Sequence, residues 1–178
     1  MNILIHTCCA PCLTYTAEKL GEDNEITAFW FNPNIHPFKE YERRLKALKK
    51  YHDETGIDVI YKDVYPLKEF LEGALRTDPR CEFCYRWRLE ETAKMAKRRD
   101  FDSFTTTLSI SPYQDHDMIK KIGGEIGEKH DVKFLYVDLR DGFYESHEMA
   151  KDMDLYMQGY CGCIFSEKDR YEKKLIDD

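Results

Sequence analysis

The sequence predicts an α/β fold, a single domain with a parallel sheet covered by helices on both faces. Three observations predict it. Short apolar and β-branched stretches alternate with segments of helical periodicity from the first residues to about residue 137. The 178 residues are enough to bury one sizeable core without staples. A composition of 42% hydrophobic and 13% aromatic residues is that of a globular chain.

Taken in order, residues 2–7 read as a buried first strand and 12–21 as a helix, with Pro11 near its first turn and Gly21 at its end. Residues 25–31 form a second strand and 32–37 a loop rich in Asn and Pro. A long helix then runs to about Thr55, with Tyr41, Leu45, Leu48 and Tyr51 on one face and Gly56 as its stop. A third strand covers 57–61 and a short helix 66–75. A polar connection over 76–84 leads into a helix reaching about Arg99. Residues 101–108 read as a fourth strand, 109–114 as a loop, 115–130 as a helix weakened by Gly123-Gly124, and 133–137 as a fifth strand. From 138 to 178 the single domain ends in an extension that carries Cys161-Gly162-Cys163 and closes on a charged helix.

Net charge is −7, unevenly spread: residues 36–50 and 80–99 each carry net +4. Two basic tracts on an acidic chain suit a polyanion, although solvated helix faces account for them equally well. No apolar run approaches the ~20 residues of a membrane helix. With Met1-Asn2-Ile3 leading straight into a strand, no signal peptide is read, and a cytoplasmic protein without a membrane partner is expected.

Seven cysteines in that setting point to metal or redox chemistry rather than a disulfide framework. Cys8, Cys9 and Cys12 follow the first strand and open a helix, where helix-start N–H groups favour anions and lower a thiol's pKa. Cys81-x-x-Cys84 and Cys161-x-Cys163 complete the set. If the first two groups lie at neighbouring strand ends, four sulfurs converge on one centre, which suits tetrahedral zinc or an iron–sulfur cluster. Neighbouring side chains such as Cys8 and Cys9 are expected to diverge, which makes them awkward ligands for one small ion. A thiol redox pair without metal is the third possibility. The loop after the fourth strand offers Ser111, Tyr113 and Gln114, an amide donor and acceptor suited to a base edge. Trp87 between Arg86 and Arg88 suits a surface facing RNA. His6, His116 and His147 read as structural or surface residues.

Four blocks together resemble one family. They are His6-x-Cys8-Cys9-Ala10-Pro11-Cys12, Arg80-Cys81-x-x-Cys84-Tyr85-x-x-Arg88-Leu89, Thr106-Thr107-Leu108-x-x-Ser111-Pro112-Tyr113-Gln114 and Gln158-x-Tyr160-Cys161-Gly162-Cys163. The chain is similar in these blocks to the QueH family of cobalamin-independent epoxyqueuosine reductases. The resemblance implies a Rossmann-like fold similar to adenine-nucleotide α-hydrolases and PP-loop tRNA enzymes. It also implies reduction of the epoxide of epoxyqueuosine to an alkene at the wobble position of a tRNA, without cobalamin. By the same resemblance Cys8, Cys9, Cys81 and Cys84 match ligands of a [4Fe–4S] cluster, and Cys161 and Cys163 a redox-active pair. Cys12 matches the motif and is a candidate to join Cys161 and Cys163 around a second metal ion, iron or zinc. On this reading Tyr113 donates a proton, and Ser111 and Gln114 contact the base. Arg140 and the basic tracts with Trp87 and Arg88 hold the tRNA, and an external donor supplies electrons. Two rivals stand beside it: a zinc-stabilised, non-catalytic RNA-binding module, and a cluster-dependent tRNA thiolase. The thiolase would need a glycine-rich phosphate loop that residues 6–12 lack.

Overall fold

The structure is a computed structural model and describes residues 1–172. In chain order the elements are β1 (Asn2–His6), α1 (Ala10–Gly21), β2 (Glu25–Trp30), α2 (Phe38–Thr55), β3 (Asp58–Tyr61), α3 (Leu67–Arg76) and α4 (Arg80–Arg98). There follow β4 (Ser103–Thr106), α5 (His116–His130), β5 (Lys133–Phe134), α6 (Phe143–Asp152) and α7 (Ile164–Tyr171).

The strands form one parallel sheet in the order β3-β2-β1-β4-β5. The central strand is apolar almost throughout because it is covered on both faces. Ile3 and Ile5 enter one core with Leu13, Leu48, Trp30 and Ala150, from α1, α2, β2 and α6. Leu4 enters the other with Leu89, Phe104, Ile119 and Ile122, beneath α4 and α5. Each such side chain contributes about 1.5–3 kcal/mol by leaving water. The chain winds outward from β1 to β3 and then returns to place β4 on the other side of β1. The reversal therefore falls between β1 and β4, the crevice where open α/β sheets bind ligands outside the strands' carboxyl ends.

Three elements differ from expectation. The fourth strand stops at Thr106, whose Oγ1 accepts a hydrogen bond from the Leu108 N–H at 3.2 Å and starts a tight 3₁₀ turn over Thr107–Ile110. The fifth strand has only two residues. Helix α4 starts at Arg80 instead of following a connection to residue 84, so Cys81 and Cys84 both lie in its opening turns. Pro79 caps that start, where a missing N–H costs nothing, and Glu82 complements the helix dipole. The glycine pair does not break α5. Gly123 is where the Phe134 ring lies, and a Cβ there would sit 2.2 Å from it. Part of the terminal charged segment, residues 173–178, lies outside the described residues.

Candidate metal centre

β1 ends on His6, fully buried, and Thr7 leads into the turn that carries Cys8 and Cys9 to the N-terminus of α1. Cys12 follows in the helix's first turn, and the three sulfurs lie within 4.8 Å of one another. Cys8 Sγ and Cys9 Sγ are 3.7 Å apart, so the adjacent side chains converge where divergence was expected. The extended backbone at Cys9 and the helical turn after it fold the two thiols toward the same point. Thr107, from the turn that ends β4, places its Oγ1 3.2 Å from the Cys8 N and 3.3 Å from the Cys8 Sγ. Gln158 Nε2 donates to Cys9 Sγ at 2.9 Å and approaches Cys12 Sγ at 3.9 Å.

Cys84 faces the sheet from α4, and one turn later Arg88 NH1 donates back to its Sγ at 3.3 Å. Arg88 Nε also points at His6 Nε2 at 3.3 Å; the same nitrogen lies 3.2 Å from the Phe31 carbonyl, and Nδ1 lies 2.9 Å from Thr106 Oγ1. Burial and then the Arg88 charge push His6 down to about 3, so it is neutral. Arg44 anchors the Cys161–Cys163 loop. Its NH1 and NH2 donate to the Cys161 and Tyr160 carbonyls, both at 2.9 Å, while Glu40 accepts from its Nε at 2.7 Å. Gly162 has φ +144°, a conformation side chains disfavour, and its carbonyl accepts from the His36 N–H at 2.8 Å. Cys81, Cys84, Cys161 and Cys163 line a cavity of about 160 Å³ together with Tyr85, Tyr113 and Gln114.

Electrostatics divide the thiols. Hydrogen bonds from Cys12 and then Cys9 hold Cys8 well below the ordinary thiol range, against the effect of burial. Its hydrogen bond to Cys8 raises Cys12, and burial raises Cys9. Burial pushes Cys84 up to about 12 and also raises Cys81 and Cys161. Two guanidinium groups, each 1% exposed, serve this region: Arg88 donates to Cys84 Sγ, and Arg44 to the Cys161 carbonyl. Soft thiol donors beside buried positive charge form a donor set suited to an anionic metal–thiolate group.

The other candidate residues are distributed around the cavity. Tyr113 is at its rim and 80% exposed. Gln114 Oε1 accepts from Tyr85 Oη at 2.8 Å, and its Nε2 lies 3.5 Å from Cys161 Sγ. Ser111 is tied to Tyr113 N through its hydroxyl and to His116 Nε2 through its carbonyl. Arg140 is exposed and forks onto Asp138. Arg88 does not face solvent as expected, and Trp87 does so only in part. Trp87 packs among Phe31, Phe70 and Phe83, and Arg88 is buried because it follows Cys84 by one helical turn on the inward face of α4. Sequence reasoning missed Arg44 and gave no role to Thr107 and Gln158, although both stand in the four blocks. The Glu40–Arg44 spacing of four was the available signal for the first.

A family model described as epoxyqueuosine reductase QueH matches residues 3–169 of the chain. The epoxyqueuosine reductase QueH of Dehalococcoides mccartyi is 36% identical over 174 residues, 97% of this chain and 96% of that protein. The Thermotoga maritima protein of the same description is 38% identical over 186 residues, 97% of this chain and 93% of that one. Among solved structures, a predicted subunit of tRNA methyltransferase from Methanocaldococcus jannaschii superposes with TM-score 0.53 at 12% identity, over 85% of this chain and 76% of that one. At that identity the likeness is one of fold.

Proposed function

The chain belongs to the epoxyqueuosine reductase family described as QueH and is an oxidoreductase, and from that premise we propose that it reduces the epoxide of epoxyqueuosine to an alkene at the wobble position of a tRNA, using an iron–sulfur centre. The observation that carries this reading is the buried trio of Cys8, Cys9 and Cys12 at the carboxyl end of β1, with the other four cysteines lining one cavity. Cys8, Cys9, Cys81 and Cys84 would hold a [4Fe–4S] cluster, with Cys12 available to a second metal ion beside Cys161 and Cys163. When bound, such a group supplies low-potential electrons one at a time and a Lewis-acidic site.

Removing the epoxide oxygen as water takes two electrons and two protons. The Cys161–Cys163 dithiol can contribute both electrons and both protons by closing to a disulfide, which the external donor then reopens. Tyr113 Oη, at the rim, relays one of those two protons to the departing oxygen and is reprotonated by a thiol of the pair. Gln114 holds the base edge, oriented by the Tyr85 hydroxyl on its Oε1. Ser111 supports that loop, Arg140 contacts phosphate, and Phe70 and Phe165 give the cavity dry walls.

Anaerobic purification followed by iron and acid-labile sulfide analysis, with assay on epoxyqueuosine-containing tRNA and a chemical reductant, tests the proposal. About four irons and four sulfides per chain are expected, with Cys81→Ser losing both the cluster and turnover. An undiminished rate in iron-free protein overturns it.

A second reading has one observation in its favour. The 3.7 Å separation of Cys8 and Cys9 sulfurs is close to a tetrahedral edge around an ion at the ~2.3 Å zinc–sulfur distance. Zinc without sulfide, and no turnover, would mark a zinc-stabilised RNA-binding module.

A further inference from the structure

Buried arginines normally face a carboxylate. Arg44 does, through Glu40. Arg88 does not: it is 1% exposed, and among the described residues no Asp or Glu pairs with it. Its NH1 donates to Cys84 Sγ and its Nε to neutral His6, while its NH2 is buried with no hydrogen-bond partner. An uncompensated buried charge is strongly unfavourable, so an arginine in this position requires an anion nearby. The groups that meet that requirement are sulfurs. A guanidinium keeps its proton in a protein interior, so Arg88 stays cationic whatever the state of the thiols around it.

The side chain also has no freedom to swing away. His6 belongs to β1, and its Nδ1 is tied to Thr106 at the end of β4, so the two central strands fix the guanidinium from below. From there its NH1 reaches the Cys84 thiol on α4, while its His6 partner stands two residues before Cys8.

We infer that Arg88 is the fixed counter-charge of the metal centre, compensating thiolate and cluster charge and holding the centre's reduction potential up. The inference rests on the iron–sulfur reading above. A reduced centre carries one more negative charge than an oxidised one, so a nearby immobile cation favours reduction, and N–H···S contacts act in the same direction. The free NH2 is then a donor to the bound group itself. Arg88 is thereby a positioning residue, separate from any group that touches the substrate.

The test uses anaerobic holoprotein and reads the midpoint potential by redox titration followed by EPR, with Arg88→Met and Arg88→Lys compared at matched iron content. Arg88→Met is expected to titrate at a more negative potential, and Arg88→Lys to recover most of the shift. Equal potentials in wild type and Arg88→Met overturn the inference. If Arg88→Met retains no iron, wild-type chain labelled with ¹⁵N-arginine decides the matter by pulsed EPR of the reduced centre. A nitrogen coupling that survives Arg44→Lys but vanishes in Arg88→Lys supports it, and the absence of any arginine coupling overturns it. A wild type that takes up no iron instead removes the iron–sulfur reading, and this inference with it.

Discussion

Individual side chains here are set by burial as much as by contact. His36 lies behind the Cys161–Cys163 loop, with its ring between Tyr65 and Phe70 and its Nε2–H donating to the Pro33 carbonyl at 3.1 Å. Burial pushes it down to about 4 from an ordinary 6.5. Between those values the unfolded chain binds a proton that the folded chain does not, so stability is full above about 6.5 and is lost as pH falls toward about 4. The melting temperature is expected to drop across that window, and His36→Gln to reduce the slope. His6, which is pushed lower still, and His147, which burial also lowers, add to the slope. A profile unchanged by His36→Gln would refute the assignment. The arginines show what a lone sequence hides at this scale. Arg44 and Arg88 both fall in tracts of net +4, and charge counts treat such tracts as outer faces. Which side of a helix a cation occupies depends on its phase relative to its neighbours. Here that phase was set by Glu40 and Cys84, each four residues earlier.

Secondary-structure elements were legible wherever apolar period and stop signals agreed, as for β1, β2 and α2, whose boundaries fall within two residues of expectation. They were not legible where a side chain redirects the backbone, as Thr106 does in ending β4. Nor were they where proline starts a helix inside a polar stretch, as at Pro79. That second case matters for the site, because it puts Cys81 and Cys84 on a rigid helix. Gly73 of α3 fixes how that helix sits: a Cβ there would lie 2.1 Å from the ring of Phe83, the residue directly before Cys84. Gly73→Ala is therefore expected to cost about 1–3 kcal/mol by overpacking and to lower iron uptake by displacing the opening of α4. Gly123→Ala meets a similar clash with Phe134, at 2.2 Å, on an element pair remote from the cysteines. It should lose comparable stability in urea melts with iron per chain unchanged. Equal uptake by the two variants would show that Phe83 does not position the thiols.

At the scale of the molecule, the α/β class followed from alternation alone, whereas the meeting of distant cysteines did not. Spacing favoured a cluster but left zinc and dithiol chemistry open, and the four-block resemblance was needed to narrow them. The reason is topological. β1 and α4 meet at the sheet's carboxyl edge only because strand order reverses beside β1, and the last cysteines arrive on a segment tied down by tertiary contacts. Those contacts are few and specific: Arg44 to the Tyr160 and Cys161 carbonyls, His36 N–H to the Gly162 carbonyl, and Gln158 to the thiol of Cys9. The segment is thus a strap closed over the cavity from the α2 side, and Arg44 is its principal anchor. Arg44→Met should release the strap while leaving Glu40 with the Tyr156 hydroxyl as a partner, at a cost toward the lower end of the about 3–5 kcal/mol typical of breaking a buried pair. The sheet and its two cores do not depend on it, so far-UV circular dichroism should be unchanged. Alkylation of the metal-free variant, followed by mass spectrometry, should label Cys161 and Cys163 several-fold faster than in wild type, with Cys8 and Cys9 as slow as before. If all four accelerate together, Arg44 supports the whole carboxyl edge of the sheet, and the strap is no separate unit.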